Sequence, residues 1–393
     1  MNMRNILKYA SLLFAAAVLG ACGDPVEPDT PVGPDTPGPE KPEVTGTLAL
    51  TVDKQIIQSN GTDAATLTVT LNGKPVTSDV IFHDSQNNDA VIEVKDFKFT
   101  TSKAGEFGIW AEYYTLMSNE VKINSFAAEI PSTPSDPEPS NTSFVRRSLL
   151  TQFTGTGCMN CPGMKTLLNS VFSESEMADK VVWTAVHSYN EDDPAFISKY
   201  ITASNYPMIN LDLVETTGYG AGTTPTDIKN WMNAIYSGQE AMAGISVNSA
   251  YKNGQLVIKA AVKAAVEGQY RIGALLMENG IEGQQNGAKP SETEMHIHDC
   301  CVRYADCATN FYGHKLGTIK AGETAEYFFC WDLNDASMQW NKKPYGGSIW
   351  KAPVMENAYL VLCVYVPDSS GRATIVNNAV VAEIGTTVQF EYK

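Results

Sequence analysis

Two cysteines separated by two residues, Cys158 and Cys161, place the strongest constraint on how this chain can fold. The apolar residues 149–153 upstream read as a short strand, and a loop of glycine and threonine joins them to the cysteines. Pro162 follows, and proline is common in the first turn of a helix, where its missing N–H loses no hydrogen bond. Apolar residues then recur at helical spacing as far as Phe172. The sequence therefore predicts a strand, a loop and a helix that begins at the cysteine pair.

Cysteines at the start of a helix are suited to redox chemistry. The unpaired N–H groups and the positive end of the helix dipole stabilise a thiolate, and can lower a cysteine pKa from about 8.5 to roughly 3.5–7.5. We expect Cys158 to be the exposed nucleophile and Cys161, one turn further in, to be the resolving thiol. Two other interpretations are half of a zinc site and an inert structural disulfide. A second C-x-x-C pair that could complete a zinc site does not occur in the sequence.

The elements predicted downstream support the redox interpretation. Residues 180–186 form a continuous apolar run, as a buried parallel strand should, and residues 193–203 read as a helix with an acidic start. Tyr206-Pro207 then leads into a strand over residues 208–213, and residues 225–237 supply a closing helix. This order resembles the thioredoxin-like fold, in which a cis-proline entering such a strand faces the disulfide. By that resemblance Pro207 is the third site residue.

A more specific resemblance rests on the Thr-Gly-x-x-Cys-x-x-Cys-Pro segment over residues 154–162, the Tyr-Pro turn and features of the last domain. These residues resemble the outer membrane protein 28-related lipoproteins of Gram-negative bacteria, from about Ser148 to the C-terminus. The resemblance implies a thioredoxin-like domain followed by a β-rich domain, with Cys158, Cys161 and Pro207 as the matching redox elements. The chain departs from the pattern at Gly157, where such sites commonly carry an aromatic residue, and at Met159.

The N-terminus predicts where the protein resides. Basic residues precede the apolar run of residues 9–19, which is too short to span a bilayer and ends near Ala21-Cys22. This pattern resembles a bacterial lipoprotein signal, which implies a signal peptide over residues 1–21 and a lipid attached to Cys22. Residues 22–43 are rich in proline and acidic residues and read as an extended linker. We therefore expect a lipid anchor in the outer membrane, on its periplasmic face or at the cell surface.

Composition shifts divide the rest of the chain into three folded domains and a second linker. Residues 44–127 show short alternating strands with an Asn72-Gly73 hairpin turn, and they resemble bacterial Ig-like domains. A Pro/Ser-rich linker over residues 128–143 precedes a thioredoxin-like domain, residues 144–241, and a β-rich domain, residues 242–393. The predicted fold class is multidomain: an all-β Ig-like sandwich, an α/β thioredoxin-like domain and a C-terminal β-sandwich.

The last domain contains an alternative ligand cluster. His296 and His298 would lie on one strand face, and the thiolates of Cys300 and Cys307 could complete a tetrahedral zinc site. The competing interpretation is structural. In it, His298 and Arg303 are structural polar residues, matching a His-rich, Arg-ending segment of the resembled family, and Cys300 or Cys301 pairs with Cys307 in an oxidising compartment. Five cysteines remain outside Cys22 and the C-x-x-C pair, so at least one of them must stay free.

Charge and motif content narrow the range of partners. The formal net charge of -16 argues against nucleic acid and against an anionic membrane surface. The sequence contains no phosphate-binding loop or serine-nucleophile motif, and we predict no cofactor. His187 reads as a structural histidine, and Cys330 and Cys363 read as buried apolar residues. Two hypotheses remain: thiol–disulfide exchange on envelope proteins, or a binding or structural lipoprotein in which the disulfide staples a loop.

Overall fold

A computed structural model describes residues 44–341 and 350–393, which contain many strands and few helices. These strands form several sheets, so the prediction of a mostly β chain is confirmed. Val44–Lys393 form one compact unit. The predicted signal peptide, the linker over residues 22–43 and the lipidated Cys22 lie outside the described residues. Within the part of the chain that is described, no helix has the length and apolar character needed to cross a membrane.

The first ten strands form two sheets that face each other around an apolar core. They are β1 (Leu48–Val52), β2 (Ile56–Gln58), β3 (Ala65–Leu71), β4 (Lys74–Pro75), β5 (Val80–Asp84), β6 (Ala90–Ile92), β7 (Lys98–Phe99), β8 (Gly105–Tyr113), β9 (Leu116–Met117) and β10 (Val121–Phe126). One sheet has the order β1-β3-β4 with β7 beside β3, and the other has the order β2-β10-β8-β5-β6 with β9 beside β8. Leu50, Val69, Ile109 and Ile123 meet between them. The predicted Asn72-Gly73 turn joins β3 to β4, with both residues at positive φ.

The next elements alternate between strands and helices. They are β11 (Ser148–Thr154), α1 (Cys161–Phe172), α2 (Ser175–Lys180), β12 (Val181–His187), β13 (Met208–Leu211), β14 (Glu215–Gly218) and α3 (Pro225–Ser237). β11 and β12 are parallel, and α1 and α2 connect them. β13 runs antiparallel to β11, and β14 antiparallel to β13. α3 begins at a capping box in which the Thr224 and Asp227 side chains each accept a backbone N–H.

The remaining strands form most of a two-layered β region. They are β15 (Ala243–Lys252), β16 (Gln255–Ala264), β17 (Gly268–Glu278), β18 (Ile281–Glu282), β19 (Ile297–His298), β20 (Cys301–Asp306), β21 (His314–Ile319), β22 (Thr324–Asp332), β23 (Ala358–Pro367), β24 (Thr374–Glu383) and β25 (Thr387–Val388). One layer is the sheet β22-β16-β15-β25. Its Ile258 and Trp331 pack against Leu276 and Leu362 of the other layer. The alternating strands predicted in this region are confirmed.

A single nine-stranded sheet runs through both of these regions. Its order is β14-β13-β11-β12-β20-β17-β23-β24, with β21 beside β17. β12 pairs in parallel with β20, where Ala185 lies opposite Cys301. The boundary predicted after residue 241 therefore does not separate two sheets. An unpaired edge of β12 would leave its backbone N–H and C=O groups without partners, and β20 covers that edge.

The helix predicted over residues 193–203 is wrong, because the described chain has turns there. The Asp193 carboxylate accepts the N–H of Thr156 in another loop, and Phe196 forms a parallel bridge with His187 at the end of β12. An aspartate followed by a proline, here Pro194, can open either a helix or a turn, and in this segment it opens a turn. Tertiary hydrogen bonds therefore replace the helical ones in this segment.

The second predicted linker has no strand or helix between residues 131 and 142, yet it is held against the C-terminal region. The Lys263 ammonium group is 1% exposed and lies 2.8 Å from the Asp136 carboxylate. The same group donates to the backbone oxygens of Glu138 and Pro139 and to the Tyr392 hydroxyl. A buried lysine with four oxygen partners fixes this segment, so it is not a free spacer.

Candidate functional site

The cysteine pair closes a disulfide where the loop after β11 enters α1. The two Sγ atoms are 2.05 Å apart and the two Cα atoms 5.4 Å apart. Cys161 is the first residue of α1 and Pro162 the second, whereas Cys158 lies in the preceding loop. Among the described residues, no side chain caps this helix. The N–H groups of Cys161 and Gly163 donate to the backbone oxygens of Cys158 and Asn160, at 3.4 and 3.2 Å, so the sulfur pair lies at the positive end of the helix dipole but not at unpaired N–H groups.

Both cysteines are nevertheless covered. Cys158 is 3% exposed and Cys161 is 2% exposed, whereas Met159 between them is 66% exposed. The prediction of an exposed nucleophile at Cys158 is therefore wrong for this conformation. The physical reason is a second segment of chain that lies on the cysteine loop.

That segment is a hairpin inserted between β17 and β20. β18 and β19 pair at its base, and we call residues 281–298 the cover hairpin. The backbone N–H of Asn286 donates to the Thr156 oxygen at 2.8 Å, and its side chain donates to the Gly157 oxygen at 3.2 Å. The Lys165 ammonium group on α1 donates to the backbone oxygens of Glu294 and Ile297, at 2.8 and 2.5 Å. Both the cysteine loop and the helix that follows it therefore bind the hairpin.

Gln285 is the buried contact between the hairpin and the cysteine loop. Its side chain is 4% exposed. The amide nitrogen donates to the backbone oxygens of Gly155, Thr156 and Cys158, at 3.3, 3.2 and 3.0 Å. One side chain thus contacts three carbonyl groups of the loop that carries Cys158.

Pro207 lies beside the strand that leads to the cysteines. The Tyr206–Pro207 peptide bond is cis, and the following Met208 pairs with Phe153 near the end of β11. The Tyr206 ring packs edge-on against the Tyr189 ring, with 5.3 Å between centroids. A Cβ at Gly157 would lie 3.2 Å from that same Tyr189 ring. Tyr189 therefore places an aromatic ring directly beside Gly157.

A small polar cavity lies behind the disulfide. Its volume is about 70 Å³, and its lining includes Cys161, Lys165, His187, Gln285 and His298. Burial lowers the pKa of the Lys165 ammonium group. Burial, helped by the neighbouring His187, lowers the pKa of His298 to about 4, so its imidazole is neutral at pH 7. Cys161 therefore faces polar groups on its inner side.

His187, predicted to be structural, joins a buried network. Its Nδ1 lies 2.8 Å from the Asp193 carboxylate, and its Nε2 lies 3.5 Å from the Cys301 sulfur. Burial alone would raise the pKa of Asp193, but the His187 charge and several hydrogen bonds outweigh it and hold that pKa well below its usual value. Burial raises the pKa of the Cys301 thiol far above its ordinary value. The order of cysteine, histidine and aspartate resembles a catalytic triad, but a protonated thiol with 0% exposure is not a nucleophile.

The alternative zinc ligands have separate hydrogen-bond partners. His296 lies in a short 3-10 helix, and His298 lies in β19, so the two imidazoles do not share a strand face as predicted. His298 donates to the Gly283 oxygen at 3.1 Å, and the Tyr365 hydroxyl lies 3.4 Å from the Cys307 sulfur. Among the described residues, no group of three His, Cys, Asp or Glu side chains is placed to hold a metal ion.

The five cysteines outside the disulfide are free thiols within the described structure: Cys300, Cys301, Cys307, Cys330 and Cys363. The implied disulfide from Cys300 or Cys301 to Cys307 is therefore not formed. Cys300 and Cys301 precede and begin β20, whereas Cys307 follows its last residue, so the whole strand separates them. Cys363 is fully buried, as predicted, and Cys330 is partly buried.

Several contacts of this site were not predicted from the sequence. Asp193-Pro194 is compatible both with a helix start and with a turn, so the sequence does not distinguish the two. Tyr189 and Gln285 lie in loops with no motif around them, and only the folded chain brings them to the cysteines.

Comparisons with known proteins find little that is similar to this chain. No protein family model matches it, and no curated protein matches it. Among solved structures, the chain is similar to HBP35 of Porphyromonas gingivalis, with 17% sequence identity and a TM-score of 0.48. The likeness covers 64% of this chain and 79% of that one.

Proposed function

We propose that this chain is a lipid-anchored cell-envelope protein that exchanges thiols and disulfides at Cys158 and Cys161. The observation that carries the proposal is a disulfide between Cys158 and the first residue of α1. The first turn of a helix favours the thiolate of a reduced pair, and a thiolate is the attacking species in disulfide exchange.

The arrangement of neighbouring elements also supports a thioredoxin-like domain. Two parallel strands, β11 and β12, flank α1, and the proline that enters β13 lies beside the end of β11. In the family that the sequence resembles, the matching proline lies next to the disulfide. We assign Pro207 and Tyr206 to the surface that meets the substrate chain. No residue is assigned to a cofactor.

The proposed reaction moves two electrons between sulfur atoms. A thiolate of a substrate dithiol attacks the Cys158 sulfur, the Cys158–Cys161 bond breaks, and Cys161 leaves as a thiolate that takes up a proton. The second substrate thiolate attacks the substrate sulfur of the mixed disulfide and releases Cys158. The substrate dithiol is thereby oxidised to a disulfide, and the cysteine pair is reduced to two thiols. In the reverse direction, Cys158 attacks a substrate disulfide and Cys161 resolves the intermediate.

The proposed location follows from the N-terminus. A lipid on Cys22 would hold the folded region at the outer membrane, and the acidic, proline-rich residues 22–43 would keep it away from the lipid surface. The partners are then envelope proteins with a disulfide or a pair of thiols. The net charge of -16 disfavours nucleic acid as a partner.

A trapping experiment tests the exchange activity. The full chain with Cys161→Ala cannot resolve a mixed disulfide, so partners should accumulate on Cys158 and appear as high-mass species on non-reducing gels. The chain with both Cys158→Ala and Cys161→Ala is the matched control and should trap nothing. If the Cys161→Ala chain also traps nothing in cells, the exchange proposal is wrong.

One observation favours a second candidate, in which the disulfide only staples a loop. Cys158 and Cys161 are both almost completely buried, and a structural disulfide does not need to be reached by a substrate. A reduction potential below about -300 mV would support this candidate, because structural disulfides resist reduction at such potentials.

A further inference from the structure

We propose that the cover hairpin opens and closes over the Cys158–Cys161 disulfide and thereby controls its reactivity, with Gln285 as the residue that holds it closed. The regulatory meaning of this gate rests on the proposed exchange activity. The gate itself depends only on the contacts between residues 281–298 and the cysteine loop.

The contacts of Gln285 fall on the backbone that carries the nucleophile. Its amide nitrogen donates to the oxygens of Gly155, Thr156 and Cys158, and Asn286 adds two further hydrogen bonds to the same loop. The amide nitrogen also lies 3.0 Å from the backbone oxygen of Asn286, and it has only two hydrogen atoms, so the three loop carbonyl groups and that of Asn286 share them. Replacing Gln285 by alanine would remove this donor from all three oxygens at once. A single substitution therefore detaches the centre of the hairpin.

Gly287 brings the hairpin backbone directly onto the residue between the two cysteines. A Cβ at this position would lie 2.0 Å from the backbone oxygen of Met159 and 2.9 Å from its carbonyl carbon. The backbone of Gly287 also has φ +82°, a conformation that glycine adopts easily. A side chain here would push the hairpin away from Met159. Gly287→Ala is therefore a second way to open the cover, and it leaves Gln285 in place.

The hairpin is held by hydrogen bonds and not by an apolar core. Among the described residues, none between 281 and 298 belongs to a buried apolar cluster. Each hydrogen bond contributes only about 1 kcal/mol net, and segments with few buried apolar contacts open at a lower free energy than the core does. Opening the hairpin should therefore leave the nine-stranded sheet intact.

His296 fixes the closed shape of the hairpin. Its Nδ1 accepts the backbone N–H of Gln285 at 3.0 Å, and its Nε2 lies 3.1 Å from the Lys289 oxygen, to which it must donate. Both partners are satisfied only by the neutral imidazole with its proton on Nε2. His296 is therefore a positioning residue that holds the segment containing Gln285 against the cysteine loop.

The gate is tested by the rate at which dithiothreitol reduces Cys158–Cys161 in the full chain. The reaction is stopped with acid, the free thiols are alkylated, and the modified cysteines are counted by mass spectrometry. We expect Gln285→Ala and Gly287→Ala to raise the rate at least tenfold. Asn286→Ala, at an exposed residue, should raise it about threefold. Gln86→Ala, an exposed glutamine in the first sandwich, is the matched control and should leave the rate unchanged.

Using three hairpin variants guards the reduction experiment against a variant that fails to fold. Asn286 is exposed, so its replacement does not threaten folding, and thermal unfolding of each variant shows whether the sheet is intact. Rates within twofold of the parent for all folded variants would overturn the gate. Faster reduction without trapping by Cys161→Ala would leave the gate standing and remove the exchange activity. Trapping by Cys161→Ala together with unchanged reduction rates would overturn the gate and leave the exchange activity standing.

Discussion

Among the described residues, Cys158 and Cys161 lie at the start of a helix, whereas Cys307 and Cys363 lie in the apolar interior. Cys158 and Cys161 are 3% and 2% exposed, and Cys307 and Cys363 are 1% and 0% exposed. Burial therefore does not distinguish them. What differs is the surrounding backbone, because the first pair lies at the positive end of the α1 dipole, whereas Cys363 lies within β23, which pairs with a strand on each side.

The buried thiols of Cys307 and Cys363 show what burial alone does to cysteine. Burial raises the pKa of Cys307 to about 12 and that of Cys363 far above its ordinary value. Both pack in one apolar cluster with Tyr200 and Tyr365. A buried thiol without a nearby positive charge or dipole stays protonated and behaves as an apolar side chain. The comparison teaches that the backbone around these cysteines, and not their exposure, separates the disulfide at the helix start from the thiols in the core.

Reactivity towards an alkylating agent should separate the two positions most strongly. After reduction of the full chain at pH 7, we expect iodoacetamide to modify Cys158 on the order of a thousandfold faster than Cys307 or Cys363, because the thiolate is the reactive form. Mass spectrometry of timed samples measures each rate. The Gln285→Ala chain serves as the uncovered control for Cys158. Equal rates at all three residues would contradict the assigned role of the helix start.

The sequence predicted the helix start that carries the disulfide well. The cysteine spacing, Pro162 and the apolar period of α1 are local signals, and the structure has the helix starting at Cys161 as expected. The alternating strands of the C-terminal region were also predicted, because each alternation is set within about ten residues. Local patterns therefore gave the elements that carry the disulfide.

The contacts that cover the disulfide, in contrast, join distant parts of the chain. The hydrogen bond from Gln285 to Cys158 joins residues 127 positions apart, and the hairpin that carries Gln285 leads into β20, which pairs with β12. The pairing itself is not encoded in a local pattern, since any apolar strand could cover the edge of β12. For the same reason the sequence showed that position 157 has no side chain, but not that the Tyr189 ring lies beside it.

Asp193 links the cysteine loop at the start of α1 to the buried thiol of Cys301. Replacing its carboxylate should therefore sharpen the comparison between the cysteines at the helix start and those in the core. Its carboxylate accepts the Thr156 N–H of the cysteine loop at 2.6 Å and lies 2.8 Å from His187, which contacts the Cys301 sulfur. Removing the charge from a fully buried pair costs about 3–5 kcal/mol. We expect Asp193→Asn to lower the free energy of unfolding by roughly 3 kcal/mol, as measured by urea denaturation.

The neighbouring Asp192 provides the matched control for this measurement. Its side chain is exposed, and Asp192→Asn should change the free energy of unfolding by less than about 0.5 kcal/mol. If Asp193→Asn is no more damaging than the control, the carboxylate does not join the cysteine loop to the sheet.

The smallest expected effect concerns acid pH and His298, which lies at the base of the cover hairpin. Its pKa falls from 6.5 to about 4 in the folded chain, chiefly through burial and then through the charge of His187, with Asp193 and Lys165 also nearby. The folded state therefore favours the neutral imidazole. This contribution is fully present above about pH 6.5 and is lost as the pH falls towards 4, because the unfolded chain binds the proton first.

His298→Gln should remove this pH dependence, because glutamine can donate to the Gly283 oxygen but does not titrate. Urea denaturation at pH 7 and at pH 4.5 gives the loss of stability for each chain. We expect the parent to lose roughly 2 kcal/mol more than the variant, since each pKa unit corresponds to about 1.4 kcal/mol. Carboxylates that titrate in the same range affect both chains equally and cancel in the difference. Equal losses would mean that the base of the hairpin admits a protonated His298, and that acid does not act on the cover through this residue.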